Sequence, residues 1–390
     1  MMIENKAGQF SSDLENKPRL NLVEHQEEIS HTFVDFYKQR GYINKPPVSL
    51  LTKNDSSVIF VGATITPLKP YLIEGVPDPG VCTVQKCLRT KRLDEMTNVD
   101  IIPEWTHYFT MCGILANPNK GEDISNEAYE LLVDNLGISP RNLVVETSSE
   151  DINLFSNWVD RGVEVVQNTH PNSFYKWQYG FSDIYGKGTN ILLRVGISEK
   201  YRDLGNLISI RNINGNTLAY EFGFGLESMI SAVRGFKKPI EASLVSSVIP
   251  HQEGIQEKVI DIIMAVTAIY HEGIEPGTGG AKHVVKKLIK GLSFLRREMN
   301  LDLDQMDDWC QKFEQVEFGN HENSTEIVKA VSAYEKQLSK FDNYVKNQFH
   351  AYQLRGDDRE RLLKVIDKTG VNMGILPADV KRILKTLLQT

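Results

Sequence analysis

Residues 204–234, LGNLISIRNINGNTLAYEFGFGLESMISAVR, read as strand, tight turn, strand and helix. Asn214-Gly215 stands between two β-rich runs and predicts a two-residue type I′ hairpin, a turn that needs φ > 0 at both positions. Through Thr217–Gly223 the period of two puts Leu218, Tyr220 and Phe222 on one face and Ala219, Glu221 and Gly223 on the other. A carboxylate among small residues is the pattern of a pocket floor. The same pattern fits an edge strand with Glu221 in water. Gly223-Phe224-Gly225 lets the backbone turn directly into a helix over Leu226–Arg234.

The chain has 390 residues, a length that buries a large core and usually divides into about two or three domains. No apolar run reaches the ~20 residues of a membrane span. The first twenty residues are polar and lack the apolar core of a secretory signal, so a frayed extension is expected there. Four scattered cysteines do not make a disulfide framework. Together these point to a reduced, cytoplasmic setting. No CxxC or HxxxH pairing occurs, so no metal site is expected. A net charge of −7 argues against bulk nucleic-acid binding and leaves room for a local basic stripe.

Glu24–Arg40 carries apolar residues at helical spacing and ends at Gly41. Pro46 and Pro47 force an extended segment, and Val58–Val61 reads as a short strand. Val81–Arg89 alternates, with Gln85, Cys87 and Arg89 on one face. The charged loop TKRLDEMTNVD follows, then an apolar strand over Trp105–Cys112 that holds a lone histidine, His107. Glu122–Leu136 reads as a helix, Leu143–Glu146 as a strand, and Asp151–Val163 contains a helix. Pro171–Gly188 has loop character; its aromatic residues fit either stacking on a base or packing over a core. Asn190–Ile197 and Leu207–Ile213 are strands. Short antiparallel strands with helices segregated around them indicate an α+β domain. From about Gln252 the chain turns helical. Lys282, Lys286 and Lys290, with Lys287 beside them, line up at i, i+4, i+8, either a solvated face or a phosphate-binding stripe. No GxGxxG follows a strand, and Gly277–Lys282 fails the P-loop spacing.

Several of these stretches resemble the class II aminoacyl-tRNA synthetases, and the alanyl-tRNA synthetases above all. Gly223-Phe-Gly-Leu-Glu227 is similar to their third motif, Gly-x-Gly-Leu-Glu-Arg, with Glu221 where the alanyl family has Asp and Ser228 where it has a phosphate-clamping Arg. Gln85-Lys-Cys-Leu-Arg89 followed by Asn98-Val99 resembles their second motif. There Trp105 stands where the family has a His that faces ATP. Asn54, Asp55, Phe60 and Lys69 match places in the first motif. Gly188-Thr-Asn190-Ile resembles a stretch whose Glu handles Mg·ATP, and here that Glu is Asn190. The basic helix resembles the family's acceptor-stem domain. Thr278 stands for an Asn that reads the stem, Asp358 matches its second reader, and Val365–Gly370 is similar to the close of that domain. The likeness runs over residues 25–385 and leaves out the editing domain.

The resemblance implies an antiparallel-sheet catalytic domain at 23–250, after a polar extension at 1–22, and an all-helical tRNA acceptor-stem domain at 251–390. It implies that Arg89 stabilises an α-phosphate or the adjoining acyl oxygen and that Glu221 holds an α-ammonium group. His107 is the candidate general base. Gly223, Gly225, Trp105, Asn190 and Ser228 would line the substrate site. Lys282, Lys286, Lys287, Lys290 and Asp358 would meet tRNA. Because the changes at Trp105, Asn190 and Ser228 all fall where the family binds ATP or its metal, three activities remain open. The first is transfer of an aminoacyl group from charged tRNA to a small amino acid or amine, as in natural-product pathways. The second is a trimmed alanine-activating ligase that uses ATP and Mg2+, with Lys91 or Arg92 replacing the lost clamp. The third is a non-catalytic regulatory relative. The amino acid, the tRNA, the acceptor and the oligomeric state stay open.

Overall fold

The computed structural model describes residues 21–52, 55, 57–121, 123–167, 169–171, 173–194, 201–250, 252–355 and 359–389. They fall into two units. One runs to Arg89 and resumes over Glu104–Ser247; the other combines Thr90–Pro103 with the chain from Val248 onward.

The first unit is built on one nine-stranded sheet. Its strands are β1 (Ile43–Asn44), β2 (Gly80–Leu88), β3 (Tyr108–Ala116), β4 (Leu143–Thr147), β5 (Glu164–Gln167), β6 (Lys176–Gln178), β7 (Ile184–Arg194), β8 (Tyr201–Asn212) and β9 (Thr217–Gly225). The order is β1-β2-β3-β9-β8-β7-β4-β5, with β6 pairing on β7. The β1–β2 and β4–β5 pairs are parallel and the others antiparallel. Because β9 lies between β3 and β8, Glu221 is on an interior strand and not on a wet edge.

Apolar side chains on both faces explain the layers. On one face, α1 (Leu22–Gln39) buries Ile29, Phe33, Phe36 and Tyr37. The α1 start is capped by Asn21, whose Oδ1 accepts from the Val23 N–H at 3.2 Å. The same core takes in Met229 and Ile230 of α6 (Leu226–Val233), Ile124 of α4 (Asp123–Tyr129) and Trp158 of α5 (Ser156–Asp160). On the other face, α2 (Ile65–Leu68) and α3 (Tyr71–Glu74) set Ile65, Leu68 and Leu72 against Leu115, Ile208 and Ala219.

Several local expectations change. The β8–β9 turn is not type I′. Its connection spans residues 213–216, and Gly215 takes φ 84° while Asn214 stays at negative φ. The Asn212 side chain accepts from the N–H groups of Asn214 and Asn216 at 3.1 and 3.0 Å, so it supplies the turn and only one left-handed residue is needed. Val58–Val61 is not a strand; Phe60 makes one isolated bridge to Leu51. Trp105, Thr106 and His107 precede β3 instead of opening it. The stretch read as a loop over Pro171–Gly188 contains β6 and the start of β7. There Gly186 and Gly188 leave room for Trp177, since a Cβ on either would fall within about 3.1 Å of its side chain. The helix expected over Glu122–Leu136 is α-helical to Tyr129 and continues as a π-helical stretch over Glu130–Asn135.

The second unit is helical: α7 (Ile255–His271), α8 (Gly280–Glu298), α9 (Leu303–Phe318), α10 (Ser324–Arg355), α11 (Arg359–Asn372) and α12 (Pro377–Gln389). Among the described residues no helix is long and apolar enough to cross a membrane. The loop Thr90–Pro103 belongs to this unit for two physical reasons. Lys258 of α7, 5% exposed, donates from Nζ to the carbonyls of Glu95, Asn98 and Ile101 at 3.2, 2.6 and 3.0 Å. Met96 fills the space left by Gly291 of α8, where a Cβ would sit 2.0 Å from its Cε. Replacing Lys258 by methionine keeps the stem and strands three carbonyls. A loss of about 2 kcal/mol in unfolding free energy is expected, with faster amide exchange across 90–103. Unchanged exchange in that loop would contradict the clamp.

Candidate active site

The strand ends of the sheet bring one set of expected residues together. Arg89 follows β2, with its N–H donating to the His107 carbonyl at 2.8 Å. Its guanidinium lies over the Phe109 ring, 4.4 Å from the centroid, and enclosure by protein lowers its pKa. It is thus oriented by packing instead of swinging freely. Opposite stands Asp203 of β8. Its carboxylate is partly enclosed by the cleft it lines. The enclosure pushes its pKa up to about 6, against the pull of Arg89.

A cleft of about 80 Å³ lies between them, lined by Trp105, Asn206, Gly223, Gly225 and Ser228 as well. Ser228 sits in the first turn of α6. The start of that helix is tied down by Glu227, whose buried carboxylate accepts from the Thr110 N–H with both oxygens at 3.1 and 3.0 Å.

Glu221 does not line this cleft; it lies two residues before Gly223 on β9, between Leu115 and Ile208. It is 5% exposed, and Tyr179 Oη donates to its Oε2 at 2.9 Å. Burial pushes its pKa up to about 7, with the tyrosine hydrogen bond opposing. Asn190 does not line the cleft itself; it accepts from Asn206 Nδ2 at 2.6 Å, which makes a neutral pair with a residue that does. His107 is buried with its ring 4.8 Å from that of Trp105, and it does not line the cleft.

In the helical unit, Lys282 and Lys286 are exposed. Lys287 pairs with Asp94, and Lys290 donates to the Gly374 carbonyl at 2.5 Å, so part of the basic stripe is used internally. Asn54 and Asp358 lie outside the described residues.

Asp203, Asn206 and Tyr179 were not singled out in the sequence. A β-bulge hides the first two. Ile191 pairs with Gly205 and Leu192 with Asp203, so Leu204 is the extra residue and strict alternation fails there. The bulge lets residues three apart line one cleft.

The resemblance implies ATP and Mg2+, and the residues of this cleft do not fit them. Among the described residues lining the cleft Arg89 is the only cation, and the Asp203 carboxylate shares the cleft with it, so a triphosphate finds little positive charge there. Among the described residues no group of three or more His, Cys, Asp or Glu side chains is placed to hold a metal ion.

The family described as tRNA synthetases class II (A) matches residues 28–196. The alanine–tRNA ligase of Desulforudis audaxviator is 22% identical over 315 residues, covering 67% of this chain and 34% of that protein. That of Tropheryma whipplei is 26% identical over 301 residues, covering 66% and 33%. The chain thus spans about a third of the length of the curated relatives it matches. The Entamoeba histolytica asparaginyl-tRNA synthetase with asparaginyl-adenylate aligns at 11% identity and a TM-score of 0.37, over 57% of this chain and 65% of that one. The antiparallel sheet and the family match define a class II synthetase-like α+β fold. Within that class the chain is most similar, among the relatives named above, to the alanine–tRNA ligases.

Proposed function

We propose that this protein takes an already activated aminoacyl group from the 3′ end of a charged tRNA and passes it to a small amino acid or amine, with ATP-dependent adenylation weakened or lost. The observation that carries this reading is the cleft itself. It keeps Arg89, suited to an acyl oxygen, and sets Asp203 opposite with Ser228 beside it, a poor seat for a triphosphate. In the transfer the acceptor's lone pair attacks the ester carbonyl, and negative charge builds on that oxygen next to the Arg89 fork. The C–O bond to the ribose breaks, and the acceptor's proton passes to the leaving ribose oxygen. Glu221 holds the α-ammonium of the aminoacyl group, and that positive charge draws its pKa back down. Lys282 and Lys286, both exposed, are the residues available for acceptor-stem phosphates. The setting is cytoplasmic.

The test is ATP–pyrophosphate exchange with a panel of amino acids, run beside transfer from labelled aminoacyl-tRNA to pooled amines. The expected result is no exchange above blank together with label appearing in an amide. Exchange with one amino acid would overturn the reading in favour of the ligase. Binding of charged tRNA with no turnover would overturn it in favour of a regulatory relative.

A further inference from the structure

A larger cavity, about 660 Å³, lies elsewhere in the sheet unit and is lined by residues from 48–74 and 179–181. Its polar centre is a preformed ion pair. Lys69, 9% exposed, donates from Nζ to Asp55 Oδ2 at 2.6 Å and to Ser57 Oγ at 3.1 Å. Burial works to raise the Asp55 pKa, but hydrogen bonds from Lys69 and Ser57 outweigh it and hold the carboxyl below its usual range. Gly180, at φ 83°, presses its backbone onto this pair; a Cβ there would fall 2.7 Å from Ser57 Oγ. The walls are apolar, with Leu51, Val61 and Pro67 among them. Ile73 stands 70% exposed at the rim beside Glu74.

The volume and the mix of apolar wall with few polar groups are those of a small-molecule site. The charges choose the ligand's head. Among the described lining residues Lys69 contributes +1 while Asp55 and Glu74 contribute −1 each, a sum of −1. Lys69 is already neutralised by Asp55, so a buried anion would gain little there, whereas an ammonium meets Glu74 and the outer side of the ion pair. The apolar body then covers the rim that Ile73 leaves exposed. We propose that this cavity binds a small amphiphilic primary amine, with its ammonium at Glu74 and its apolar body against Leu51, Val61 and Ile73. The site is separate from the Arg89 cleft. Tyr179, which also lines the cavity, stands as a wall between it and Glu221.

The test uses the full chain and three probes of like shape: phenethylamine, phenethyl alcohol and 3-phenylpropanoate. Binding is read by calorimetry and by the amide resonances of the protein. The amine is expected to bind about 10-fold tighter than the alcohol, with the carboxylate weakest. Shifts should fall on Thr66, Ile73 and Phe181. Glu74→Gln, at an exposed position, should remove the amine's advantage while leaving alcohol binding unchanged. Equal affinity of amine and alcohol, tighter binding of the carboxylate, full amine affinity in Glu74→Gln, or shifts confined to Trp105 and Ser228 would each overturn the proposal. None of these results depends on whether aminoacyl transfer occurs.

Discussion

Replacing Arg89 by alanine is expected to lower aminoacyl transfer by about 100-fold or more while leaving the fold intact. The guanidinium is the one cation lining the cleft among the described residues, and its plane is set by the Phe109 ring beneath it. Removing a single positioned donor from a developing oxyanion costs about 3 kcal/mol in comparable sites, which is the factor quoted. The loss should appear in kcat and not in KM, because the charge that Arg89 meets exists only as the tetrahedral intermediate forms. Arg89→Lys should recover little: it restores a charge but neither the planar fork nor the stacking. Stability provides the control. An exposed cation–π contact is worth ~0.5–1 kcal/mol, so the melting temperature should fall by about 2 °C. A fall in Tm of ten degrees with unchanged kcat in the residual folded protein would make Arg89 a structural residue and sink this role.

The residues that were legible in the sequence are those fixed by short-range rules. Period-two alternation placed Arg89 at the end of β2, and the glycine pair after Phe222 marked where β9 hands over to α6. What stayed hidden depends on partners far along the chain or on a broken period. Lys258 looks like one more polar position on a helix until the carbonyls of Glu95, Asn98 and Ile101, about 160 residues away, converge on it. Tyr179 sits in a stretch that composition marks as loop, yet it covers Glu221, 42 residues further on. Asp203 and Asn206 share a cleft only because one residue between them is squeezed out of register. The role of Glu221 divides along the same line. Its place on the sheet followed from alternation, but its burial followed from β9 being an interior strand, which local pattern does not reveal.

That burial leads to the second large effect. Glu221→Gln is expected to stabilise the protein at pH 8 by about 3 kcal/mol and to change it little at pH 4.5. In the unfolded chain the carboxyl titrates near its ordinary value of 4.5, and in the folded chain at about 7. Below 4.5 both states hold the proton, and the group adds no pH dependence. Between 4.5 and 7 the folded state keeps a proton that the unfolded state has lost, so rising pH removes stability. Above 7 both are ionised and the full penalty stands, about 3 kcal/mol for a pKa raised from 4.5 to about 7. Glutamine accepts from Tyr179 in the same geometry and never ionises, so its stability lacks this slope. The other titrating groups, Asp203 among them, are common to both proteins and cancel in the difference. Urea unfolding of the two proteins from pH 4.5 to 8.5 measures that difference directly. Parallel curves would mean that Glu221 is already charged and solvated in the folded protein, with Tyr179 lifted away from it. Divergence beginning near pH 5 and levelling off above 7 identifies a carboxyl held neutral by burial. A cation such as the α-ammonium of an aminoacyl group, arriving beside it, brings that ionisation to lower pH.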